Sequence, residues 1–103
     1  MSVENSKVID FITNHNSKVV LTISDHLEWI DSNEHVFLLQ EKINAYLKAV
    51  ESGQISKYVD SPNSKIVISI AVKYAPSEMG IRFFAKVKET LLEAGYQFDY
   101  YVL

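Results

Sequence analysis

Hydrophobic and polar residues alternate along three stretches of the chain, at residues 18–24, 65–74 and 96–103. Alternation with a period of two sends successive side chains to opposite faces of a strand, so each stretch is predicted to be a β-strand. A further apolar run at residues 7–13 is followed by polar turn residues at 14–17. Two strands joined by a short polar turn are typical of a β-hairpin, which we predict for these first two strands.

A period of three to four residues replaces this alternation between the second and third strands. The apolar positions there form one stripe, made of Val36, Leu39, Ile43, Leu47 and Val50. Asp31 suits the cap at the start and Gly53 suits a left-handed stop, so a helix is predicted over about residues 32–52. Phe37 and Leu38 widen the apolar stripe, and we therefore expect this helix to be deeply buried.

A second helix is predicted between the third and fourth strands. Pro76 and Ser77 suit its opening, and Gly95 suits its end. Its apolar stripe consists of Phe84, Val87, Leu91 and Ala94. The last alternating stretch follows Gly95 directly and is the fourth strand.

The resulting order, β-β-α-β-α-β, predicts the fold class. Each helix links two strands, and such crossovers are right-handed and join parallel strands. Each helix has one apolar stripe and each strand one strongly apolar face, which favours an α+β two-layer sandwich with both helices on one face of a four-stranded mixed sheet. The strand order is 1-2-3-4, with strand 1 antiparallel, or alternatively 2-1-3-4. The length of 103 residues suits a single domain over residues 1–103.

Composition and charge narrow the chemistry. The net charge is −3 and the lysines are dispersed, so we expect no nucleic-acid partner. The absence of cysteine excludes disulfides, thiolate metal ligands and thiol catalysis. No uncharged apolar run approaches about 18 residues and no signal segment opens the sequence, so we expect no membrane partner and a cytoplasmic protein. No phosphate-binding loop or dinucleotide fingerprint is present, and no cofactor is expected.

The densest polar segment lies between the second strand and the first helix. Its imidazole and carboxylate groups could ligate zinc or a harder metal ion, with Asp25, His26, Glu28, Asp31 and His35 as the candidates. Their spacing matches neither an HExxH helix nor a calcium-binding loop. The alternative is a structural role, because acidic side chains at the start of a helix cap it and favour its positive end.

Two surfaces are candidates for binding a protein partner. One is the acidic loop with Asp25, Glu28, Trp29 and Asp31, in which Trp29 either covers the end of the core or anchors a contact. The other is the outer sheet face, which mixes apolar Val8, Val20, Val67, Ala71 and Tyr101 with Asp10, Thr22, Ser69, Lys73 and Asp99. The edge of the last strand could also pair with a second copy, so a homodimer through this strand or the sheet face is possible.

Several motifs together resemble a widespread family of small bacterial cytoplasmic proteins of unknown function. These motifs are TISDHLEW at 22–29, NEH at 33–35, LQEKINAYL at 39–47 and ESG at 51–53. The resemblance covers nearly the whole chain and implies a bacterial, cytoplasmic, single-domain protein. It implies no activity, cofactor or catalytic residue.

The sequence favours a non-enzymatic protein–protein interaction module, because it shows no nucleophile–base pair but does show two candidate contact surfaces. One version of this hypothesis is an immunity- or antitoxin-like protein whose acidic loop covers the basic active site of a toxin. The alternative is a small metal-binding protein or metal-dependent enzyme that uses the His and carboxylate cluster at residues 25–35.

Overall fold

The computed structural model describes residues 11–15, 17–55, 59 and 64–103. Its elements are β1 (Phe11–His15), β2 (Lys18–Asp25), α1 (Ser32–Glu51), β3 (Lys65–Val72), α2 (Glu78–Glu93) and β4 (Gln97–Val102). This order confirms the predicted α+β fold. Neither helix in these ranges is long and apolar enough to cross a membrane.

The four strands form one mixed sheet in the order β1-β2-β3-β4, so the alternative order 2-1-3-4 was wrong. β1 is antiparallel to β2, whereas β3 is parallel to both of its neighbours. The three parallel strands therefore end at the same edge of the sheet, where Asp25 lies beside Val72 and Val72 beside Val102. We call this edge the carboxyl edge.

The core lies on one face of the sheet, which we call the inner face. Strand residues Val19, Leu21, Ile23, Ile68, Ile70, Val72 and Phe98 pack there with helix residues Leu39, Ile43, Tyr46, Ala49, Phe84 and Leu91. Complete burial of an aliphatic or aromatic side chain of this size contributes roughly 1.5–3 kcal/mol. The shared cluster holds both helices on the same face, as the sequence predicts.

α1 begins and ends close to its predicted limits. The Asp31 carboxylate accepts a hydrogen bond of 3.2 Å from the backbone N–H of Glu34, which caps the first turn. Gly53 follows the helix with φ at 81°, a conformation that glycine adopts without steric cost.

The buried face of α1 differs from the predicted stripe. Leu39 and Ile43 are buried as expected, but so are His35, Lys42, Tyr46 and Ala49. Phe37 is exposed, so the expected deep burial was wrong there. The cause is that α1 has two neighbours: its buried row packs on the sheet, while Ile43 and Leu47 line a groove shared with α2.

Two of these unexpected buried side chains contact each other. The Tyr46 hydroxyl donates a hydrogen bond of 3.0 Å to the carbonyl oxygen of Thr22 in β2. Lys42 Nζ lies 5.5 Å from the centre of the Tyr46 ring, within the range of a cation–π contact. Burial of a lysine on the sheet side is therefore compatible with its charge, although periodicity alone does not predict it.

α2 is capped by Ser77, whose hydroxyl accepts a hydrogen bond of 3.2 Å from the N–H of Gly80. Phe84 and Leu91 of the predicted stripe are buried, while Val87 is half-buried. Ala94 is exposed because it is the carboxyl-terminal cap residue, so its predicted place in the stripe was wrong.

The first hairpin has a tighter turn than predicted. β1 is described over Phe11–His15, two residues beyond its predicted end at residue 13, and His15 pairs directly with Lys18. Ser17 in the connection has φ at 63°, the left-handed conformation that a tight turn requires. Residues 7–10, with the predicted outer-face positions Val8 and Asp10, lie outside the described residues.

Candidate functional site

The predicted metal and partner segment places one acid–imidazole pair inside the protein. Asp25 ends β2 on the inner face, and His35 lies in the second turn of α1. His35 Nε2 lies 2.6 Å from Asp25 Oδ2, and the two residues are only 2 % and 1 % exposed. A second bond of 3.2 Å, donated by the N–H of Leu27, holds the other carboxylate oxygen. The pair fixes the loop that follows β2 to the start of α1.

Trp29 covers this pair. Its indole ring stacks on the His35 imidazole with 3.7 Å between ring centres and meets the edge of Phe84 at 5.9 Å. The other end of the indole lies against Gly80, where a Cβ atom would come within 2.7 Å of the ring. Trp29 therefore packs on the core and covers its end, the structural role that the sequence offered as one of two possibilities.

Two ring nitrogens in this cluster are buried without a hydrogen-bond partner among the described residues: Trp29 Nε1 and His35 Nδ1. A buried polar atom without a partner typically costs about 1–3 kcal/mol. Stacking, the Asp25 hydrogen bond and apolar burial therefore have to offset that cost. We refer to Asp25, Trp29 and His35 as the carboxyl-edge cluster.

Burial raises the pKa of the Asp25 carboxyl above its ordinary value of 3.8. The hydrogen bond to His35 and the positive charge that His35 can carry oppose part of this rise in pKa, and the Leu27 N–H and His26 act in the same direction. The desolvation of the carboxylate is the largest of these effects. The acid is thus held where its charge is costly, which is typical of a structural pair or of a functional one.

The first turns of the two helices meet beside the carboxyl-edge cluster. Ser32 at the start of α1 and Ser77 at the cap of α2 have hydroxyl oxygens 2.8 Å apart. The N–H of Lys73 also donates to the carbonyl of Asp25, which ties the segment after β3 to the end of β2. The connection between β2 and α1 is therefore joined by hydrogen bonds to the connection between β3 and α2 at this end of the molecule.

The structure does not bring the five predicted metal ligands together. Within the described ranges, no group of three or more His, Asp, Glu or Cys side chains could hold a metal ion. Asp25 and His35 meet below the surface, whereas His26, Glu28 and Asp31 are exposed. The described residues therefore do not form a metal cluster here, because Asp25 and His35 face the core whereas His26, Glu28 and Asp31 face solvent.

Two of the four partner candidates in the acidic loop are less exposed than expected: Asp25 is buried and Trp29 is half-buried. The carboxylate of Asp25 is buried, and that of Asp31 is engaged in the cap of α1. Glu28 remains exposed, and Ile30 beside it is the most exposed large apolar residue described, at 85 %. Trp29 is directed inward, so this loop presents few of the side chains that the sequence assigned to it.

The outer sheet face is less exposed along its central strand β3 than expected. Val67, Ser69 and Ala71 of β3 are buried although both described helices pack on the other face. The Ser69 hydroxyl donates a hydrogen bond to Asp99. Among the described residues of the predicted partner surface, Lys73, Asp99 and Tyr101 are exposed.

β4 forms one edge of the sheet, and its backbone has a defined orientation. The N–H of Leu103 donates to the carbonyl of Val72 at 2.8 Å. In a parallel ladder, successive residues direct their N–H and C=O groups alternately to one side and the other. Gln97, Asp99, Tyr101 and Leu103 therefore bond to β3. The N–H and C=O groups of Phe98, Tyr100 and Val102 point away from the sheet, where no described strand pairs with them.

Apolar grooves run between this edge and α2. One of about 280 Å³ is lined by Ile81, Phe84, Ala85, Lys88, Phe98, Asp99 and Tyr100. The next, of about 230 Å³, is lined by Lys88, Leu92, Tyr96, Gln97 and Phe98. Ile81 and Leu92 are 51 % and 66 % exposed. We define the β4 edge surface as Ile81, Ala85, Lys88 and Leu92 of α2 with Phe98, Tyr100 and Val102 of β4.

Sequence signals existed for both features. Asp25 has the same parity as Leu21 and Ile23 in an alternating strand, which indicates that it faces the core. His35 precedes Leu39 by four residues and therefore lies on the same helix face. The outward stripe of α2 is visible as Ile81, Ala85, Lys88 and Leu92 at helical spacing. The polarity of Asp25 and His35 favoured an exposed position for each of them. The outward stripe of α2 was overlooked because the stripe with Phe84 and Leu91 beside it is more apolar.

These features define a small two-layer α+β protein in which one side of β4, next to an exposed apolar stripe of α2, pairs with no other described strand. The chain belongs to the DUF6572 family, a family of unknown function whose model matches residues 1–103. This membership confirms the expected resemblance to a family of unknown function. No curated protein and no solved structure matches the chain.

Proposed function

We propose that this protein is a non-enzymatic protein-interaction module that binds its partner through the β4 edge surface. The observation that carries this proposal is the coincidence of outward-pointing backbone groups with exposed apolar side chains along one edge. Phe98, Tyr100 and Val102 offer N–H and C=O groups to an added strand, while Ile81 and Leu92 offer apolar contact area.

An added strand would gain from both parts of this surface. Main-chain hydrogen bonds give affinity in strand addition, and pockets for alternate side chains give specificity. The two grooves between α2 and β4 supply such pockets along the edge. An exposed apolar edge strand is otherwise an aggregation hazard, and β4 carries neither a lysine nor a proline that would block pairing.

The carboxyl-edge cluster supports a structural role better than a catalytic one. Asp25 and His35 are both nearly inaccessible, and Trp29 lies over the imidazole. A general base must come within about 2.6–3.2 Å of the proton that it removes, directly or through one water molecule. Imidazole nitrogens exchange protons in the plane of the ring, and here Nε2 of His35 lies against Asp25 while Nδ1 is buried.

An immunity- or antitoxin-like role through the acidic loop has weaker support. Burial of Asp25 leaves Glu28, Asp31 and Glu34 as exposed carboxylates in this segment, and Asp31 is also engaged in the cap of α1. We therefore place the partner on the β4 edge surface. A basic partner that binds the acidic loop would be recognised by loss of affinity on reversing the charge of Glu28.

The test uses a proline that blocks the edge without breaking the sheet. The N–H of Val102 points outward, so Val102→Pro removes a donor for an added strand and leaves the ladder to β3 intact. Val102→Ala is the matched control, because it shortens the side chain and keeps the N–H. A partner captured from the native host is purified and mixed with each variant, and affinity and amide hydrogen exchange are measured.

We expect the purified partner to protect the amides of Phe98, Tyr100 and Val102 from exchange. We expect Val102→Pro to weaken binding at least tenfold, and Val102→Ala to change it by less than threefold. Equal binding by both variants, or protection confined to residues outside the β4 edge surface, would show that the edge is not the binding site.

A further inference from the structure

We propose that the strand added to the β4 edge surface is β4 of a second copy, antiparallel and related by a two-fold axis through Tyr100. This inference rests on the proposed function and names its partner. Such pairing would join two four-stranded sheets into one of eight strands, with all helices on the same side. The backbone directions and side-chain order of β4 carry the inference.

The position of the axis follows from the pleat. Residues directly opposite each other in an antiparallel pair lie on the same face of the sheet, so the axis must pass through a residue and not between two. Three positions pair most of β4 with itself: Asp99, Tyr100 and Tyr101. These three registers differ in hydrogen bonds and in charge.

Hydrogen bonding favours Tyr100. With the axis there, Tyr100 opposes Tyr100 of the second copy, and Phe98 opposes Val102. All three residues with outward backbone groups then form hydrogen-bonded pairs, which gives six bonds. An axis through Asp99 or Tyr101 pairs only two of them within β4 and gives four.

Charge excludes the Asp99 axis and suits the Tyr100 axis. An axis through Asp99 would place two carboxylates in a non-hydrogen-bonded pair, where Cα atoms are only about 4.5 Å apart. Like charges directly opposite each other destabilise a sheet. The Tyr100 axis instead sets Asp99 opposite Tyr101 of the second copy, so that a carboxylate faces a phenol hydroxyl that can donate to it. The apolar Phe98 meets the apolar Val102 on the inner face.

The helix side agrees with this axis. Ile81 and Ala85 line the same groove as Tyr100, whereas Leu92 lies with Tyr96 and Gln97 further along the edge. With the axis through Tyr100, the part of α2 that carries Ile81 and Ala85 is therefore nearest to the second copy. These two apolar residues would meet their equivalents there, and the exposed Ile81 would be covered.

The natural absence of cysteine allows a direct test of register. The Tyr100 axis sets Gln97 opposite Leu103 of the second copy in a non-hydrogen-bonded pair, whose Cα separation suits a disulfide. The Asp99 axis would instead set Gln97 opposite Tyr101. Gln97→Cys is mixed under oxidising conditions with Leu103→Cys, and separately with Tyr101→Cys, at micromolar concentration. Asp99 is retained in all three variants, and Glu41→Cys on α1 serves as the control.

We expect the mixture of Gln97→Cys and Leu103→Cys to give at least tenfold more disulfide-linked dimer than either variant alone. The control mixture of Glu41→Cys and Leu103→Cys should give only the background level. Linkage that favours Tyr101→Cys over Leu103→Cys would overturn the Tyr100 axis.

Sedimentation of the unmodified chain separates failure of this inference from failure of the proposed function. We expect a dimer at micromolar concentration and a monomer for Val102→Pro. A monomeric unmodified chain without specific linkage would overturn the second copy as partner. Binding of a different protein that Val102→Pro abolishes would still support the β4 edge surface.

Discussion

The carboxyl-edge cluster and the β4 edge surface lie at two edges of the same sheet, but they differ in the burial and bonding of their polar groups. At the carboxyl edge, Asp25 and His35 are polar side chains hidden from solvent and bonded to each other. Along β4, the apolar side chains Ile81 and Leu92 are exposed beside backbone groups that have no strand partner among the described residues. One region is closed by its own contacts, and the other is open to contacts from outside.

We infer that the contacts of the carboxyl-edge cluster stabilise the monomer, whereas the β4 edge surface gains contacts only when a partner binds. Removing an acid–imidazole pair from water costs free energy. The attraction within the pair offsets that cost only when the hydrogen-bond geometry within the chain is good. An exposed edge strand lowers its free energy only when another strand is added. Unusual residues in a small domain are therefore better judged by whether their contacts are already satisfied than by their chemical type.

The largest expected effect on stability comes from removing one partner of the buried pair. His35→Ala would leave the Asp25 carboxyl buried without its side-chain partner and with only the hydrogen bond from the Leu27 N–H described above. We expect the free energy of unfolding to fall by about 3–5 kcal/mol at pH 7, since an uncompensated buried group is costly. Urea denaturation measures the loss, and Glu34→Ala, at the exposed neighbouring position, should change it by less than about 0.5 kcal/mol. A loss below about 1 kcal/mol at His35 would mean that the pair does not stabilise the fold.

The fit of Trp29 can be tested from the other side, through Gly80. Gly80→Ala places a methyl group within 2.7 Å of the indole ring, so the ring has to move. We expect a cost of about 1–3 kcal/mol, typical of overpacking in a well-packed site. In a double-mutant cycle, Trp29→Leu should remove most of the Gly80→Ala penalty. An unchanged penalty in the Trp29→Leu background would show that the indole is not the group that excludes a side chain at Gly80.

The assigned alternation of backbone direction along β4 can be tested with proline substitutions at two neighbouring positions. The N–H of Tyr101 points to β3, so Tyr101→Pro leaves a buried carbonyl of β3 without its donor. We expect Tyr101→Pro to lower the free energy of unfolding by about 1–3 kcal/mol more than Val102→Pro, whose N–H points outward. Thermal denaturation at low protein concentration compares the two monomers. Equal losses would contradict the assigned direction of the edge groups.

The smallest expected effect is the dependence of stability on pH at Asp25. Because burial raises the pKa of this carboxyl, the folded protein holds its proton more tightly than the unfolded chain does. The contribution of Asp25 to stability should therefore be greatest below its ordinary pKa of 3.8 and fall as pH rises through the raised pKa. The slope cannot exceed about 1.4 kcal/mol per pH unit for one proton.

Asp25→Asn isolates this effect, because the amide keeps the shape and does not titrate. The stability of the unmodified chain minus that of Asp25→Asn should decrease from pH 4 to pH 7 in urea titrations. A difference that increases with pH over this range would mean that the pKa of Asp25 is lowered in the folded state, and that attraction to His35 outweighs desolvation.

Much of the fold followed from local pattern. Alternation in residues 18–24 and 65–74 predicted β2 and β3, and the cap at Asp31 and stop at Gly53 bounded α1 within one or two residues. The two crossovers then required parallel strands, and the strand order 1-2-3-4 was one of two that the sequence allowed. The strands and the limits of α1 depend on residues only a few positions apart, and such local patterns can be read directly from the sequence.

The candidate site was less accessible to prediction. The sequence marked Asp25, Trp29 and His35 as unusual but grouped them with exposed His26, Glu28 and Asp31 as one metal or partner segment. Whether a polar side chain in a loop faces solvent or core depends on what lies across from it, here Phe84 and Gly80 from α2. Those residues are about fifty positions away along the chain, and no local pattern specifies their distance.

The sequence by itself determined which segments are helices and strands, which face of each strand is apolar, and where the helices begin. Hydrophobic periodicity and capping act over one or two turns, so they need no knowledge of the rest of the chain. Tertiary structure alone decided that α1 buries Lys42, that Asp25 meets His35, and that one side of β4, beside an apolar stripe of α2, pairs with none of the other described strands. Those outcomes depend on how whole elements pack, because a side chain is buried only when a distant surface covers it.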